Sequence, residues 1–291
     1  MDYFSYIVNH LDKLWNYADL SSNPNITWDM VVSNPDIPWS YFFLSKNSNI
    51  TWDIIVSNPD KKWDYDMINH NPNITWDIVL ANPDKPWDYS SLSSNPNITW
   101  DIVLENPDKA WDYDSLSMNI NITWDIVKSN PDKPWNYYEL SRHPNITWDI
   151  IEANPTINWC HWRLCFNPNI TWDIVKDNSK NMDWSYNALG RNPNITWDII
   201  ENNSDCNWIY MSCVDNPNIT WDIIETNYAK FCQRYDENFL YALHYWLSTN
   251  PNITWDIVDS NPDIPWDYQA LSCNQMTKHP FFQKQLSYVL K

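Results

Sequence analysis

Residues 95–113 contain Asn95-Pro96-Asn97-Ile98-Thr99-Trp100-Asp101-Ile102, then Asn106-Pro107-Asp108-Lys109-Ala110-Trp111-Asp112-Tyr113. These two half-phrases are variants of one pattern: Asn-Pro, a short linker, a Trp, then an acid. The first recurs with its Trp at Trp28, Trp52, Trp76, Trp100, Trp124, Trp148, Trp172, Trp197, Trp221 and Trp255, spaced by 24 six times and then by 25, 24 and 34. A second Trp follows each, at 39, 63, 87, 111, 135, 159, 184, 208, 246 and 266, and Trp15 stands as an orphan half-unit before the series. Only Trp162 is outside the pattern. Self-similarity at this period means a stack of supersecondary units.

Each half reads as a loop followed by one short helix. In the first half Thr is a good N-cap, Trp takes the first helical position, and Asp at the second lies at the positive end of the helix dipole. Ile before Thr and Val four residues into the helix, as Ile74 and Val79, are placed for a hydrophobic staple. Asn-Pro then ends the helix, because proline lacks an amide donor and disfavours the α region at the residue before it. The spacing predicts a helix from Trp76 to about Ala81 and a second from Pro86-Trp87 to the next Leu-Ser, each about two turns. Helices this short do not persist alone in water. Two Trp plus Ile, Val, Tyr and Leu per unit offset the ordering cost only when neighbouring units bury them, which predicts an all-α solenoid of about ten 24-residue units, each of two short helices. The ten leading Trp, at periodic helix starts, are read as its core.

The domain reading follows: residues 1–22 as an N-terminal half-repeat and cap, 23–272 as ten repeats with an extended one at 216–250, and 273–291 as a C-terminal capping helix. Both caps carry apolar residues at helical spacing, Tyr3, Phe4, Tyr6, Ile7, Leu11 and Leu14 at one end and Phe281, Phe282, Leu286, Val289 and Leu290 at the other.

Composition restricts the chemistry. A single glycine, Gly190, among 291 residues excludes glycine-rich phosphate loops. The net charge of −19 disfavours nucleic acid and favours a basic partner. The N-terminus has no basic and apolar leader, and no run approaches a membrane span, so neither secretion nor membrane insertion is expected. Six cysteines without CxxC spacing read as reduced thiols, and no metal or other cofactor is expected. The acids after the leading Trp (Asp29, Asp53, Asp77 and their equivalents) read as helix-terminus charges, and those of the Asn-Pro-Asp turns (Asp36, Asp60, Asp84, Asp108, Asp132, Asp263) as caps of the next helix. Ten equivalent copies single out no catalytic pair, and no nucleophile, base and orienting group can be assembled, so no catalytic residue is assigned and an enzyme is not expected.

The segment that breaks the period, Tyr228 to Trp246, brings Phe231, Arg234, Tyr235, Phe239, Tyr241, His244 and Tyr245 into about ten extra residues. Insertions in repeat proteins map to one face, often the binding face, and these seven are the candidate partner contacts.

The alternation of NPNITWDIV with NPDKPWDY, as in residues 71–89, resembles the Trp- and Asn-rich tandem repeats of uncharacterised proteins from amoeba-infecting giant viruses of the mimivirus kind, over residues 23–272. The resemblance implies a viral protein of host cytoplasm or virion and carries no activity. The expected function is a monomeric, non-enzymatic scaffold for an unidentified protein, with a self-associating virion or fibril component as the alternative.

Overall fold

The computed structural model describes residues 2–232 and 237–276. Among the described residues there are 22 helices and no strand. Regular repeats alternate a six-residue leading helix, such as Trp76–Ala81, with a four-residue following helix, such as Tyr89–Leu92. The leading helix is specified as its sequence implies. Thr75 accepts the Ile78 N–H at 3.4 Å, Ile74 and Val79 are buried, and Asn82 closes the far end, its amide donating to the Ile78 carbonyl at 2.8 Å. At Thr27 and Thr147 the side chain makes no such cap bond.

The following helix differs from expectation. It begins at Tyr89, two residues after Trp87, and makes a single turn capped by Asp88, which accepts the N–H groups of Ser90 and Ser91. Pro86 and Trp87 stay outside because the Trp87 N–H is held by the Lys85 carbonyl at 2.8 Å and its indole N–H by the Asn82 carbonyl at 2.8 Å. The turn acids therefore cap nothing: Asp60, Asp84, Asp108 and Asp132 each pair with the adjacent lysine, as Asp84 with Lys85 at 3.0 Å.

The chain forms two compact units, one of Tyr41–Ser185 and one of Met1–Ser40 with Tyr186–Lys291. Within the first, successive repeats are joined by asparagine. Asn71 donates its Nδ2 to the carbonyls of Ser45, Asn47 and Ile50 at 2.9, 3.1 and 2.9 Å. Asn119 does the same to Ser93, Asn95 and Ile98, and Asn167 to Ser141, His143 and Ile146. The second Asn of each Asn-Pro-Asn adds a parallel row, as Asn97 to the carbonyls of Pro72 and Ile74. A serine row completes the junction: Ser93 Oγ donates to the Tyr89 carbonyl and accepts the Asp112 N–H at 2.9 Å. The Asn47, Asn95 and His143 carbonyls also accept an N–H within their own repeat, from Ile50, Ile98 and Ile146, whereas the buried Ser and Ile carbonyls beside them take their donor from the next repeat's asparagine.

The fully buried apolar side chains are chiefly the Ile before each Thr, the Val or Ile of the leading helix and the Leu or Ile of the following one. Of the ten leading Trp, only Trp100, Trp197 and Trp255 are buried; the others are half-buried. They pair with the second Trp of the next repeat, as Trp52 with Trp87 at 5.5 Å and Trp100 with Trp135 at 5.4 Å.

In the second compact unit the N-terminal segment, with helices Tyr3–Asn9 and Tyr17–Ser22, docks on the tenth repeat. Asn23 Nδ2 donates to the Ser272 and Asn274 carbonyls, both at 3.1 Å, repeating the bonds of Asn71 to Ser45 and Asn47. The Asn16 N–H reaches Ser272 Oγ, Trp15 lies edge-on to Trp255 at 5.9 Å, and Tyr6 stacks on Trp255 at 4.1 Å. The expected N-terminal cap thus covers the apolar face of the last repeat, where it acts as the next half-unit of the stack. Helix Tyr268–Cys273 belongs to the tenth repeat, and the rest of the expected C-terminal cap, residues 277–291, lies outside the described residues.

Three positions in Tyr41–Ser185 depart from the joints. One of them, Cys165, stands where Ser is regular and keeps its bond, the thiol donating to the His161 carbonyl at 3.3 Å as Ser45 does to Tyr41. Asn69 stands where Ser is regular, and its Nδ2 and Oδ1 are buried without partners. Asn69→Ser should supply an acceptor for the Asp88 N–H, as Ser45 does for Asp64, and raise the unfolding free energy by about 1–3 kcal/mol in urea titrations. His143 stands where Asn is regular. Its Nδ1 accepts the Asn145 N–H at 3.2 Å, so Nε2 carries the proton and donates to the Asn119 carbonyl at 3.0 Å. Burial lowers the His143 pKa from the ordinary 6.5. As pH falls through 6.5 the unfolded chain takes up a proton that the folded one refuses, so stability drops on the acid side. His143→Asn should flatten the dependence of the urea midpoint on pH below 6.5, leaving a smaller acid-side loss from His244, whose pKa burial also lowers.

Candidate functional site

Between consecutive repeats the Trp and Tyr rows leave a groove. In the fourth repeat it is small, about 160 Å³, bounded by Trp100, Leu104, Lys109, Trp111, Tyr113 and Lys133 among others. Trp111 is fixed by its indole bond to the Asn106 carbonyl at 2.8 Å, and Tyr113 stands edge-on to Trp135 at 5.3 Å. Lys109, paired with Asp108 at 3.2 Å, lays its stem along the groove with its ammonium 5.1 Å from the Tyr89 ring.

The extended repeat remodels this groove. Asn227 is followed by Tyr228 rather than proline, which permits continuation, and the leading helix runs from Trp221 to Cys232, whereas after Asn178 and Asn203, which also lack proline, it still ends at six residues. Phe231 is 1% exposed and lies 5.6 Å from Trp197, in the slot where regular repeats place their second Trp. Continuation of the helix engages the Asn227 carbonyl, which elsewhere accepts the indole N–H, and phenylalanine fills the slot without needing an acceptor. Trp246, the second Trp by sequence, lies instead against the Arg191 guanidinium at 4.4 Å. Helix Glu237–Thr249 then restores the regular joint, with Ser248 accepting the Asp267 N–H.

The result is a cavity of about 440 Å³, walled by Leu14, Tyr241, His244, Trp266 and Tyr268, with Asp12, Lys13 and Asp267 among its polar residues. His244 takes the place of the regular Tyr, 2.9 Å from the Tyr228 hydroxyl, and burial lowers its pKa. Lys13 sits 5.5 Å from the Tyr268 ring. Tyr241 is 68% and Leu14 77% exposed, so apolar surface continues beyond the cavity itself.

Of the seven candidate contacts, Tyr241 and His244 line this cavity. Tyr245 is exposed beside Trp246, whereas Phe231 is core and offers no contact surface. Arg234 and Tyr235 lie outside the described residues, as does the side chain of Phe239. Leu14 and Asp12 were not among the candidates; the only signal for them was that Trp15 repeats the second-half motif and so could occupy the next slot. Cys165 and Cys213 are buried, and burial pushes their thiols up to about 11 and 12, which keeps them protonated and unreactive. Among the described residues no group of three or more His, Cys, Asp or Glu could hold a metal ion.

No protein-family model, no curated protein and no solved structure matches the chain. Phe231→Trp, which restores the consensus residue but buries an indole N–H without an acceptor, should lower stability by about 2–3 kcal/mol in chemical denaturation followed by circular dichroism.

Proposed function

We propose that the chain is a non-enzymatic scaffold that binds another polypeptide at the groove enlarged by the extended repeat, acting in the host cytoplasm or virion of a giant virus. The carrying observation is the pairing of Tyr241 and Leu14, both more than two-thirds exposed, with an adjoining concave cavity of about 440 Å³. Exposed aromatic and aliphatic side chains are seldom grouped beside a pocket unless something covers them, and such pockets receive the anchor side chains that dominate interface energies. Asp12 and Asp267 at the cavity, in a chain of net charge −19, favour a partner whose anchor is flanked by Lys or Arg. The same field opposes nucleic acid, and no helix among the described residues is long and apolar enough to cross a membrane.

The test is quantitative capture from infected host cells with the parent chain and a Tyr241→Ala/Leu14→Asp double variant. A polypeptide with a basic, aromatic- or Leu-containing segment should be retained by the parent and reduced at least tenfold by the variant. Equal recovery on both, with circular dichroism showing the variant folded, would remove the cavity as the binding site.

A further inference from the structure

The sixth repeat, in Tyr41–Ser185, holds a second enlarged groove. It is in register with the 160 Å³ groove of the fourth repeat, since Trp148, Glu152, Ile157, Trp159, His161 and Met182 stand where Trp100, Leu104, Lys109, Trp111, Tyr113 and Lys133 stand there. Its volume is about 370 Å³. Two separate departures from the repeat meet at this point. His161 replaces the regular tyrosine, so the ring that should stand edge-on against the next repeat's Trp is smaller. The seventh repeat also carries one extra residue before its second Trp: Trp184 follows Trp172 by 12 positions, not the usual 11. The C-capping Asn178 adopts φ −107°, ψ 12°, unlike the φ −130°, ψ 60° of Asn82, and the Trp184 indole N–H is buried without an acceptor, where the Trp111 indole reaches its Asn carbonyl at 2.8 Å.

We propose that this cavity is a binding site for a small, planar, uncharged heteroaromatic molecule of the nucleobase type. Trp148 and Trp159 offer aromatic faces, and Ile157 and Met182 add apolar wall. Asn158, Asn178 and Asn181 each supply both a donor and an acceptor, and Glu152 supplies a further acceptor. That set matches a ring whose edge alternates donors and acceptors. Trp148 is held in place by Trp184, whose ring lies tilted 43° to it at 6.1 Å. Charge disfavours the phosphorylated forms: both lysines of the regular groove are replaced, by Ile157 and Met182, and Glu152 adds a carboxylate. The volume lies within the range of small-molecule sites, whereas the regular groove is too small for a bicyclic ring with its hydrogen-bond partners.

The site is tested on the full chain by tryptophan fluorescence titration and saturation-transfer NMR with adenine, guanosine, uracil and their 5′-monophosphates, with N-acetyl-lysine amide as a cationic competitor. At least one neutral base or nucleoside should bind saturably with Kd below about 1 mM, and its monophosphate at least tenfold more weakly. His161→Tyr, which restores the repeat and fills the cavity, should cut that affinity at least tenfold with an equal or higher melting temperature. Asn181→Lys, at an exposed position, should do the same through the mouth and stands in if the first variant does not fold. Absence of saturable binding by every base, unchanged affinity in the filled variants, or preference for the lysine amide would overturn the assignment.

Discussion

The backbone of a short-helix stack must satisfy its own loop carbonyls, and every other feature of the chain is subordinate to that constraint. Helices of six and four residues leave most of their peptide groups without intrahelical partners, and in each regular loop between repeats the Ser, the first Asn and the Ile are buried away from water. The chain meets this with two asparagine amides at each regular joint, the first of them buried. Asn119 Nδ2, for instance, satisfies three carbonyls of the preceding repeat while its Oδ1 accepts the Asn121 N–H. One buried side chain thereby stitches two repeats and fixes its own loop. Apolar burial supplies the driving force, but hydrogen-bond geometry sets the repeat-to-repeat register.

Deviations at the joint show how narrow its tolerance is. His143 succeeds because a neutral imidazole reproduces one donor and one acceptor in the right directions, at the cost of a proton-sensitive group. Gly190, the only glycine, occupies a serine position where a Cβ would lie 2.7 Å from Cys213 Sγ, so close approach, not backbone freedom, accounts for it. Cys213 and Val214 in turn replace the regular Leu and Ser of the next repeat. The exceptions therefore cluster, each accommodating its neighbour.

The fold was legible because helix start and stop signals are local: Thr99-Trp100-Asp101 and Asn106-Pro107 each act within one turn. The asparagine rows were hidden by a second, sufficient explanation for the same residue. Asn before proline already reads as a helix stop, so nothing in the sequence demanded that Asn95 also be a buried donor to the repeat before it. Asp84 and Asp88 both sit plausibly as caps, and only the bonds holding Trp87 in an extended segment decide for Asp88. Docking of residues 1–22 on the tenth repeat lay beyond local reasoning, although Trp15 carried the trace of it. At the candidate site the extra residues were visible, but Phe231 could not be told from Tyr241 without knowing that the leading helix continues past Asn227 and buries Phe231, while Tyr241 lies exposed on the separate helix Glu237–Thr249.

This division of labour bears on how such a stack acquires function. Because the Asn and Ser joints hold neighbouring repeats through backbone carbonyls, the aromatic side of each repeat is relieved of specifying register. Its Trp, Tyr and Lys side chains form a groove that is wider where a substitution meets a one-residue insertion, as at His161 and before Trp184, or where a helix is longer, as at Tyr241 and His244, without unstitching the stack. A change of the same size at a joint leaves buried polar atoms unpaired, as Asn69 shows. Substitution that is tolerated on one face and penalised on the other concentrates variation in the grooves. The departures from the repeat that enlarge a cavity are therefore the positions at which both proposed binding sites are placed.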